Sequence, residues 1–359
     1  MARPGGPVTI RQVALHAGVS RQTVSNVLNA PHRVDPATRR RVRASVEALG
    51  YRPNRNARNL AARRAGLIGY HVPITDTPSS FMDRFLHLLT AEVEDSGRHV
   101  LLFTGTTEID AYADLVAQRA VDGFVLANTV EEDPRHRWLA DHDVPFVSFG
   151  RTGNGEQPGP WVDLDGAAAC HRLVDRLHDL GRSRIAFVGG RGRTVQNLER
   201  LRGWKAGCTA FDLPADRLVL AEDDTVEAGG AAMRDLLDSE VIPDAVIAVS
   251  DPLAVGVHRE VRRQGLRPGT DVAVTGFDDS PLASVVDGGL TSVRQPVERF
   301  ARTVVDLLES TNSTTTSAGR GSTTSANSDR GVLLPGGIIS RGSAPIRLTE
   351  QDLNEWESR

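Results

Sequence analysis

The chain has 359 residues, of which 40% are hydrophobic and 25% charged, and its formal net charge is −4. This length suggests two or three domains, and the composition is that of a soluble globular protein. Because no run of about 18 apolar residues occurs, a membrane-spanning helix is excluded. The first residues lack the apolar segment of a signal peptide, so we expect a cytoplasmic protein.

The charges are unevenly distributed along the chain. Residues 1–64 contain thirteen arginines against Asp35 and Glu47, a balance of +11, so the remaining residues carry −15. A basic head on an acidic body is typical of a polyanion-binding module joined to a module with another task. Cys170 and Cys208 have neither metal-ligand nor redox spacing, so we expect both to be reduced packing residues.

Residues 8–29, with the sequence VTIRQVALHAGVSRQTVSNVLN, predict two short helices joined by a turn. Apolar residues recur at helical spacing from Ile10 to Ala17, and Gly18 follows where a helix ends. Ser20 is a good N-cap for the second helix. The outward face of that helix presents Arg21, Gln22, Ser25 and Asn26. The pattern predicts a DNA-binding helix-turn-helix, with an ordinary surface hairpin as the alternative.

The basic head continues through two further segments. Asp35 and Pro36 begin a third helix that ends at Gly50, and its arginines from Arg39 to Arg43 are expected to lie partly on a solvated face. Residues 51–64, YRPNRNARNLAARR, then predict a short helix. Because so short a helix is unstable alone in water, it requires a partner, either DNA or its copy in a second subunit.

From Gly66 onward, strands and helices alternate over several cycles, which indicates doubly wound α/β architecture. Strands are predicted at 67–72, 99–105, 121–128, 144–150, 184–190, 245–250, 271–279 and 290–296. Helices are predicted at 81–96, 109–120, 135–141, 167–180, 198–211, 228–239, 253–264 and 297–308. The Ser-, Thr- and Gly-rich segment 310–330 predicts a flexible loop, 332–343 a strand pair, and the residues from about 345 a frayed polar tail.

The helix-turn-helix segment followed by residues 51–64 closely resembles the headpiece of the LacI/GalR family of bacterial transcriptional regulators, and the resemblance covers most of the chain. It implies an all-α helix-turn-helix domain (1–53), a hinge helix (54–64) and a two-lobed periplasmic-binding-protein-like α/β core (65–359). The first lobe would comprise about 65–165 and 295–311, and the second about 166–293 and 330–345. Crossings between the lobes are expected near Asp165, near Val293 and near residues 311–330.

The resemblance also implies a homodimer on a palindromic operator, where the counterpart of Leu60 is a wedge pushed between central base pairs from the minor groove. Asn26 departs from the family, whose members frequently have arginine there, so the outer operator bases are expected to differ. The residues expected to contact DNA are Thr9, Ser20, Arg21, Gln22, Thr23, Ser25, Asn26, Asn29, Arg33, Tyr51, Asn54, Ala57, Arg58 and Leu60.

A two-lobed α/β core binds small molecules between its lobes, near the carboxyl ends of the strands. Carboxylates and a guanidinium there can bind neighbouring sugar hydroxyls bidentately. The expected ligand contacts are His71, Asp76, Asp165, Arg200, Asp224, Ser250, Asp278 and Gln295. Asp165 and Asp278 have the alternative role of capping a helix or turn. Asp224 stands where relatives often have an aromatic ring, so Phe81 or Tyr70 could supply the ring instead.

These observations predict a sequence-specific repressor of sugar or related carbon-source genes, controlled by a small polar effector. A corepressor-dependent regulator responding to a nucleobase or nucleoside is the alternative, and a solute-binding module is a more distant one. We expect neither metal nor cofactor, and no enzyme activity, because no catalytic constellation occurs.

Overall fold

The computed structural model describes residues 8–52, 64–74, 79–105, 109–153, 157–192, 194–317, 330–350 and 352, the side chains of 312–317 excepted. The chain divides into two compact units, Met1–Ala65 and Gly66–Arg359. No helix in the described ranges combines the length and apolar character needed to cross a bilayer.

The first unit contains the predicted helices α1 (Ile10–Ala17), α2 (Arg21–Asn29) and α3 (Pro36–Ala48). Gly18 has a φ of +62°, which glycine adopts without the steric cost of a Cβ, and it ends α1. The side chain of Ser20 accepts a hydrogen bond from the Thr23 amide, as predicted for an N-cap. These local signals turn α2 against α1 and α3.

A small apolar core joins the three helices, with Val13, Val24 and Val42 fully or almost fully buried. Two polar contacts supplement this core. Arg41 Nε donates a hydrogen bond to the Ala17 carbonyl at 2.8 Å, so this member of the basic run joins α3 to the end of α1. The His16 ring lies 3.0 Å from the Ser45 hydroxyl. Such supplements matter in a domain that buries few apolar side chains.

The second unit is built of alternating strands and helices. In chain order the strands are β1 Leu67–His71, β2 His99–Phe103, β3 Gly123–Leu126, β4 Phe146–Phe149, β5 Trp161–Leu164, β6 Ile185–Gly190, β7 Leu218–Ala221, β8 Ala245–Ala248, β9 Ala273–Asp278, β10 Thr291–Arg294, β11 Gly331–Leu334 and β12 Gly337–Ile339. The helices are α4 Ser80–Asp95, α5 Asp110–Ala117, α6 Pro134–Asp141, α7 Gly166–Asp179, α8 Val195–Ala210, α9 Val226–Leu237, α10 Asp251–Arg263, α11 Pro281–Val285 and α12 Val297–Ser317.

The strands form two sheets, one in each lobe. The first has the order β11-β5-β4-β3-β1-β2 and the second the order β12-β10-β9-β8-β6-β7. Neighbouring strands are parallel except that β12 runs antiparallel to β10. The apolar run of β8 is buried throughout, as expected for a parallel strand covered by helices on both faces. The predicted two-lobed fold is therefore confirmed.

Segment 332–343 contains two strands, as predicted, but these strands do not pair with each other. β11 pairs with β5 in the first sheet and β12 with β10 in the second, so the chain crosses between lobes at Pro335 and Gly336. The third crossing lies just after the expected segment 311–330, and residues 331–334 belong to the first lobe rather than the second. A Pro-Gly pair between short apolar runs is equally typical of a turn, which is why the pattern misled.

Other boundaries also differ from expectation. α12 continues to Ser317, so the first part of the expected loop 310–330 is helical, whereas residues 318–329 lie outside the described residues. β7 and α11 were not predicted. The described part of the polar tail, residues 345–350 and 352, is anchored, because Ile346 is buried and Asp352 accepts a hydrogen bond from Arg176 Nε at 3.0 Å. Periodicity could not reveal this tertiary anchoring.

Candidate functional site

The exposed face of α2 carries the predicted recognition side chains. Gln22 Nε2 donates a hydrogen bond to Asn26 Oδ1 at 3.0 Å, and Asn29 Nδ2 donates one to Ser25 Oγ at 3.3 Å. Arg21 is exposed beside them. The two pairs, each four residues apart, orient amides along one face of the helix. Amides of this kind can bind adenine bidentately, and the arginine can bind guanine.

A polar groove of about 400 Å³ runs between the starts of α2 and α3. The predicted residues Ser20, Thr23, Asn26 and Arg33 line it. Thr9 is exposed at the start of α1, where its hydroxyl donates to Gln12 Oε1 at 2.9 Å.

Tyr51 is the last predicted contact within this unit that the structure describes, and it packs partly buried against the core of the unit. The remaining predicted contacts belong to the hinge segment and lie outside the described residues. They are Asn54, Ala57, Arg58 and Leu60.

The second unit has a cavity of about 190 Å³ between its lobes, at the carboxyl ends of the strands. Three of the predicted ligand contacts, Arg200, Asp278 and Gln295, line this cavity together. They come from α8, the end of β9 and the crossing between β10 and α12. Residues far apart in sequence converge here because the parallel strands of both sheets end at the cleft.

Asp278 is held in a demanding backbone conformation, with a φ of +99°. Such a conformation costs about 1–3 kcal/mol and persists only where its surroundings fix it. Gln295 Nε2 donates a hydrogen bond to Asp278 Oδ1 at 2.5 Å, and Arg200 Nη2 lies 4.0 Å from the same oxygen. Burial raises the pKa of Asp278, whereas the Arg200 guanidinium and the Gln295 hydrogen bond oppose that rise.

Arg200 is positioned by the second lobe itself. Its Nη1 donates a hydrogen bond to the Val249 carbonyl at 2.5 Å, and its guanidinium lies 3.6 Å from the centroid of the Phe277 ring. Its buried Nε makes no hydrogen bond within the part of the chain that the structure describes. An unsatisfied buried donor is costly, and the other contacts of the guanidinium must offset that cost.

The strained turn after β9 packs on the side chain of Asp251, which is fully buried. The Asp251 carboxylate accepts hydrogen bonds from the Ser292 hydroxyl and from the Ser280 amide, both at 2.6 Å. Burial, and then the nearby charge of Asp278, raises the pKa of Asp251 to about 7. The turn that presents Asp278 therefore rests on a carboxyl group that retains its proton well above the usual pH.

The structure places the other predicted ligand contacts elsewhere. Asp165 Oδ1 accepts from the Ala168 amide at 2.9 Å and caps α7, which is the alternative role considered for it. Ser250 caps α10 and donates a hydrogen bond to Asp224 Oδ1. His71 packs beside the Phe103 ring, 5.4 Å between centroids. These four predicted side chains do not line the cavity, and Asp76 lies outside the described residues.

Several side chains that line the cavity were not predicted as contacts. The aromatic and apolar ones are on the first lobe, and Phe81 was considered only as a possible ring. The additional lining residues are Ser79, Phe81, Met82, Asn128, Phe149, Asp163, Leu164, Gly166, Thr194, Gln196 and Glu199. Asn128 follows β3, and Ser79, Thr194 and Gln196 lie at or next to the starts of α4 and α8, so position alone could have indicated these polar side chains.

An ion-pair cluster links the two lobes beside this cavity. Arg151 of the first lobe contacts Asp163 Oδ2 at 3.1 Å and, across the cleft, Glu199 Oε2 at 3.4 Å. On the second lobe Arg202 Nη1 also donates to Glu199, at 2.6 Å. Burial raises the pKa of Asp163, and the Arg151 charge opposes the rise. All these charges are paired, so the cluster is a contact between lobes.

Cys170 and Cys208 are buried free thiols, as predicted. Burial raises their pKa values to about 12 and about 11, respectively. Neither thiol is therefore ionised near neutral pH, and both act as packing residues. Among the described residues, no three His, Cys, Asp or Glu side chains are grouped to hold a metal ion.

Comparison with known proteins identifies the family. Residues 9–54 match the family described as bacterial regulatory proteins, lacI family, and residues 174–343 match the periplasmic binding protein-like domain. The HTH-type transcriptional regulator CelR of Thermobifida fusca is 35% identical over 308 residues, which span 84% of this chain and 90% of that protein. The chain belongs to the lacI family of bacterial regulatory proteins. This lacI-family member is a DNA-binding transcriptional regulator and not an enzyme.

Solved structures support the same assignment. A transcriptional regulator CelR–cellobiose complex is 30% identical with a TM-score of 0.70, covering 94% of this chain and 100% of that one. A lac repressor dimer bound to operator and the anti-inducer ONPF is 26% identical with a TM-score of 0.74, covering 94% and 99%. The lacI-family regulator thus shares both its headpiece and its two-lobed core with proteins of this architecture.

Proposed function

We propose that this protein is a homodimeric repressor of genes for the use of a sugar or related carbon source. An uncharged sugar-type effector binds between the lobes and controls the affinity for a palindromic operator. The observation that carries the proposal is the convergence of Arg200, Asp278 and Gln295 on one cavity between two lobes. A guanidinium, a carboxylate and an amide can together bind neighbouring hydroxyl groups bidentately.

The charges around the cavity favour a neutral polyol over an anion. Arg200 faces the carboxylate of Asp278, and Arg151 is paired with Asp163 and Glu199. Each of these arginines already has a carboxylate partner, so none is left to neutralise a bound phosphate. The relative CelR has been solved with cellobiose, which supports a sugar as the effector class here.

Effector binding changes the angle between the lobes and so moves the two hinge segments, residues 54–62 of each subunit, relative to each other. Two subunits are needed because one helix-turn-helix reads one half-site of a two-fold operator. The effector shifts operator affinity only through its different affinity for the two lobe arrangements. The lac repressor dimer solved with operator supports this dimeric arrangement.

The proposal is tested in two steps with the full-length protein. A thermal-shift screen compares sugars with nucleosides, and a fluorescence-anisotropy titration then measures binding to a palindromic duplex selected from a random library. We expect a sugar to raise the unfolding temperature and to weaken binding to the selected duplex. Stabilisation by nucleosides alone, with tighter DNA binding, would instead support the corepressor alternative.

The hinge is tested by Leu60→Ala, because the resemblance assigns Leu60 the role of a minor-groove wedge. Wedging kinks the duplex and gains contacts that nonspecific DNA does not offer. We expect the variant to lose affinity for the selected duplex while its affinity for a scrambled duplex stays the same. If the variant binds the selected duplex as tightly as the unaltered protein does, Leu60 is not a wedge and the mechanism loses this step.

A further inference from the structure

The cavity between the lobes does not end at Asp278. A second cavity of about 360 Å³, here called the outer chamber, shares the walls formed by Phe81 and Asp278 with the inner one. Ser80 and Arg84 of α4 line it from the first lobe, and Ser284 of α11 lines it from the second. The two spaces therefore adjoin along one cleft, with Phe81 and Asp278 at their junction.

The groups at the junction can serve both spaces. The half-buried Phe81 ring lies 5.9 Å from the Phe149 ring of the inner cavity, and aromatic faces pack well against the CH faces of a pyranose. Asp278 Oδ1 accepts from Gln295, whereas Asp278 Oδ2 accepts no hydrogen bond from any described residue. One carboxylate oxygen is therefore available where two rings of a ligand would meet.

The outer chamber is polar but electrically balanced. Arg84 Nη2 lies 2.5 Å from Glu298 Oε1, and Arg341 Nη2 lies 2.7 Å from Asp279 Oδ1. Because each cation already has a carboxylate partner, the chamber does not favour a phosphate or carboxylate group. Serine hydroxyls and paired charges instead suit the hydroxyl groups of a neutral ring.

We propose that the outer chamber binds the second ring of an uncharged disaccharide whose first ring occupies the inner cavity with Arg200. This inference rests on the proposed sugar-responsive function and deepens it by naming the size of the effector. Phe81 and Asp278 contact both rings, and the chamber beside Ser284 selects two-ring ligands over single sugars. Two hydrogen bonds gained by the second ring are expected to give roughly a tenfold preference for the disaccharide.

The test is isothermal titration calorimetry on the full-length protein with glucose and galactose and with the disaccharides cellobiose, maltose and lactose. Ser284→Trp fills the outer chamber from an exposed position and leaves the inner cavity intact. Val285→Trp is the matched control, because it adds the same ring to the same helix at a side chain that is 75% exposed and does not line the chamber.

We expect one disaccharide to bind roughly tenfold more tightly than either monosaccharide. Ser284→Trp should remove that preference and leave monosaccharide affinity unchanged, which also reports that the variant is folded, whereas Val285→Trp should preserve it. A monosaccharide that binds as tightly as every disaccharide, or a Ser284→Trp variant that keeps the preference, overturns the inference while the proposed function stands. Failure of all five sugars to bind overturns both.

Discussion

The two lobes have the same strand order, apart from the direction of the last edge strand, but present different surfaces to the cleft. In each sheet the first strand of the lobe lies between the second and the third. The first lobe contributes an apolar wall, and the second contributes most of the charged groups. The apolar wall consists of Phe81, Met82, Phe149 and Leu164, and the polar wall includes Glu199, Arg200 and Asp278.

This difference shows how one ligand can couple two similar bodies. The proposed sugar effector has apolar CH faces and polar hydroxyl edges, so each wall would recognise a different aspect of the same molecule. Neither lobe alone satisfies both aspects, and full binding requires that the lobes come together. In the proposed mechanism, the binding free energy of the effector would favour the closed arrangement of the two lobes.

Arg200→Ala would remove the centre of the polar wall and is expected to have the largest effect. It deletes charge-assisted hydrogen bonds to the effector, each worth about 1.5–3 kcal/mol, and leaves the buried Asp278 without its cation. We expect affinity for the sugar found by screening to fall roughly a hundredfold in calorimetry. Binding to duplex DNA should persist, since the headpiece is untouched.

Lys205→Ala is the matched control, because Lys205 lies on the same helix, is exposed and does not line the cavity. Its effector affinity should stay close to that of the unaltered protein. If Arg200→Ala also keeps its affinity, the polar wall is not where the second lobe binds the effector.

The sequence predicted the polar wall better than the apolar one for a physical reason. Asp278 ends a strand, Gln295 lies at a crossing, and Arg200 occupies a position that the resemblance marks. A polar side chain at such a place is costly to bury, so it stands out as a candidate for ligand binding. Phe81 and Phe149 are apolar residues in an apolar pattern, so nothing local distinguishes a ligand-facing ring from a core ring. Whether these two rings face the cleft or the core depends on the side of the sheet on which the cleft lies, and that is set by the tertiary fold.

The same limit explains which parts of the fold could be predicted. The repeated strand–helix pattern and caps such as Ser20 are local signals, and these predictions were confirmed. The role of Pro335 and Gly336 as a crossing depends on the pairing of β11 with β5, a contact between residues far apart in sequence. The hydrogen bond between Ser250 and Asp224 also joins residues far apart in sequence. From the sequence alone, a polar residue that binds a ligand cannot be told from one that bonds another side chain.

Phe81→Ala would test the apolar wall and should have an intermediate effect. Loss of the ring removes a stacking surface worth about 0.5–1.5 kcal/mol beyond its buried area, so we expect a roughly tenfold loss of sugar affinity. Phe81→Leu keeps apolar area without the aromatic face, so its affinity for the sugar should lie between those of the unaltered protein and Phe81→Ala. Equal affinities for all three proteins in calorimetry would mean that the ring is structural.

Arg151→Gln and Glu199→Gln would test the contact that joins the two walls. Each removes the ion pair across the cleft, so the closed arrangement becomes less populated and effector affinity should fall roughly severalfold. Because the partners act through one contact, the double variant should bind about as well as either single variant. Additive losses in the double variant would show that Arg151 and Glu199 act independently of each other.

Asp251→Asn would alter the foundation of the polar wall, and its effect is expected mainly in the pH dependence of stability. An unfolded Asp251 is ionised above about pH 4, whereas the folded carboxyl keeps its proton up to a pKa of about 7. The folded state therefore binds the extra proton between these values, and its free energy of unfolding falls as the pH rises through that window. The variant should lack this contribution in chemical unfolding measured at several pH values.

Asp271→Asn provides a contrast of opposite sign. Its hydrogen bonds with Arg267 lower the pKa of Asp271 to about 2, so its contribution to stability is present above pH 4 and is lost as the pH falls towards 2. The two variants should therefore change the pH profile in different windows. An Asp251→Asn profile parallel to that of the unaltered protein between pH 4 and 7 would mean that Asp251 is ionised in the fold. The turn presenting Asp278 would then rest on a charged carboxylate.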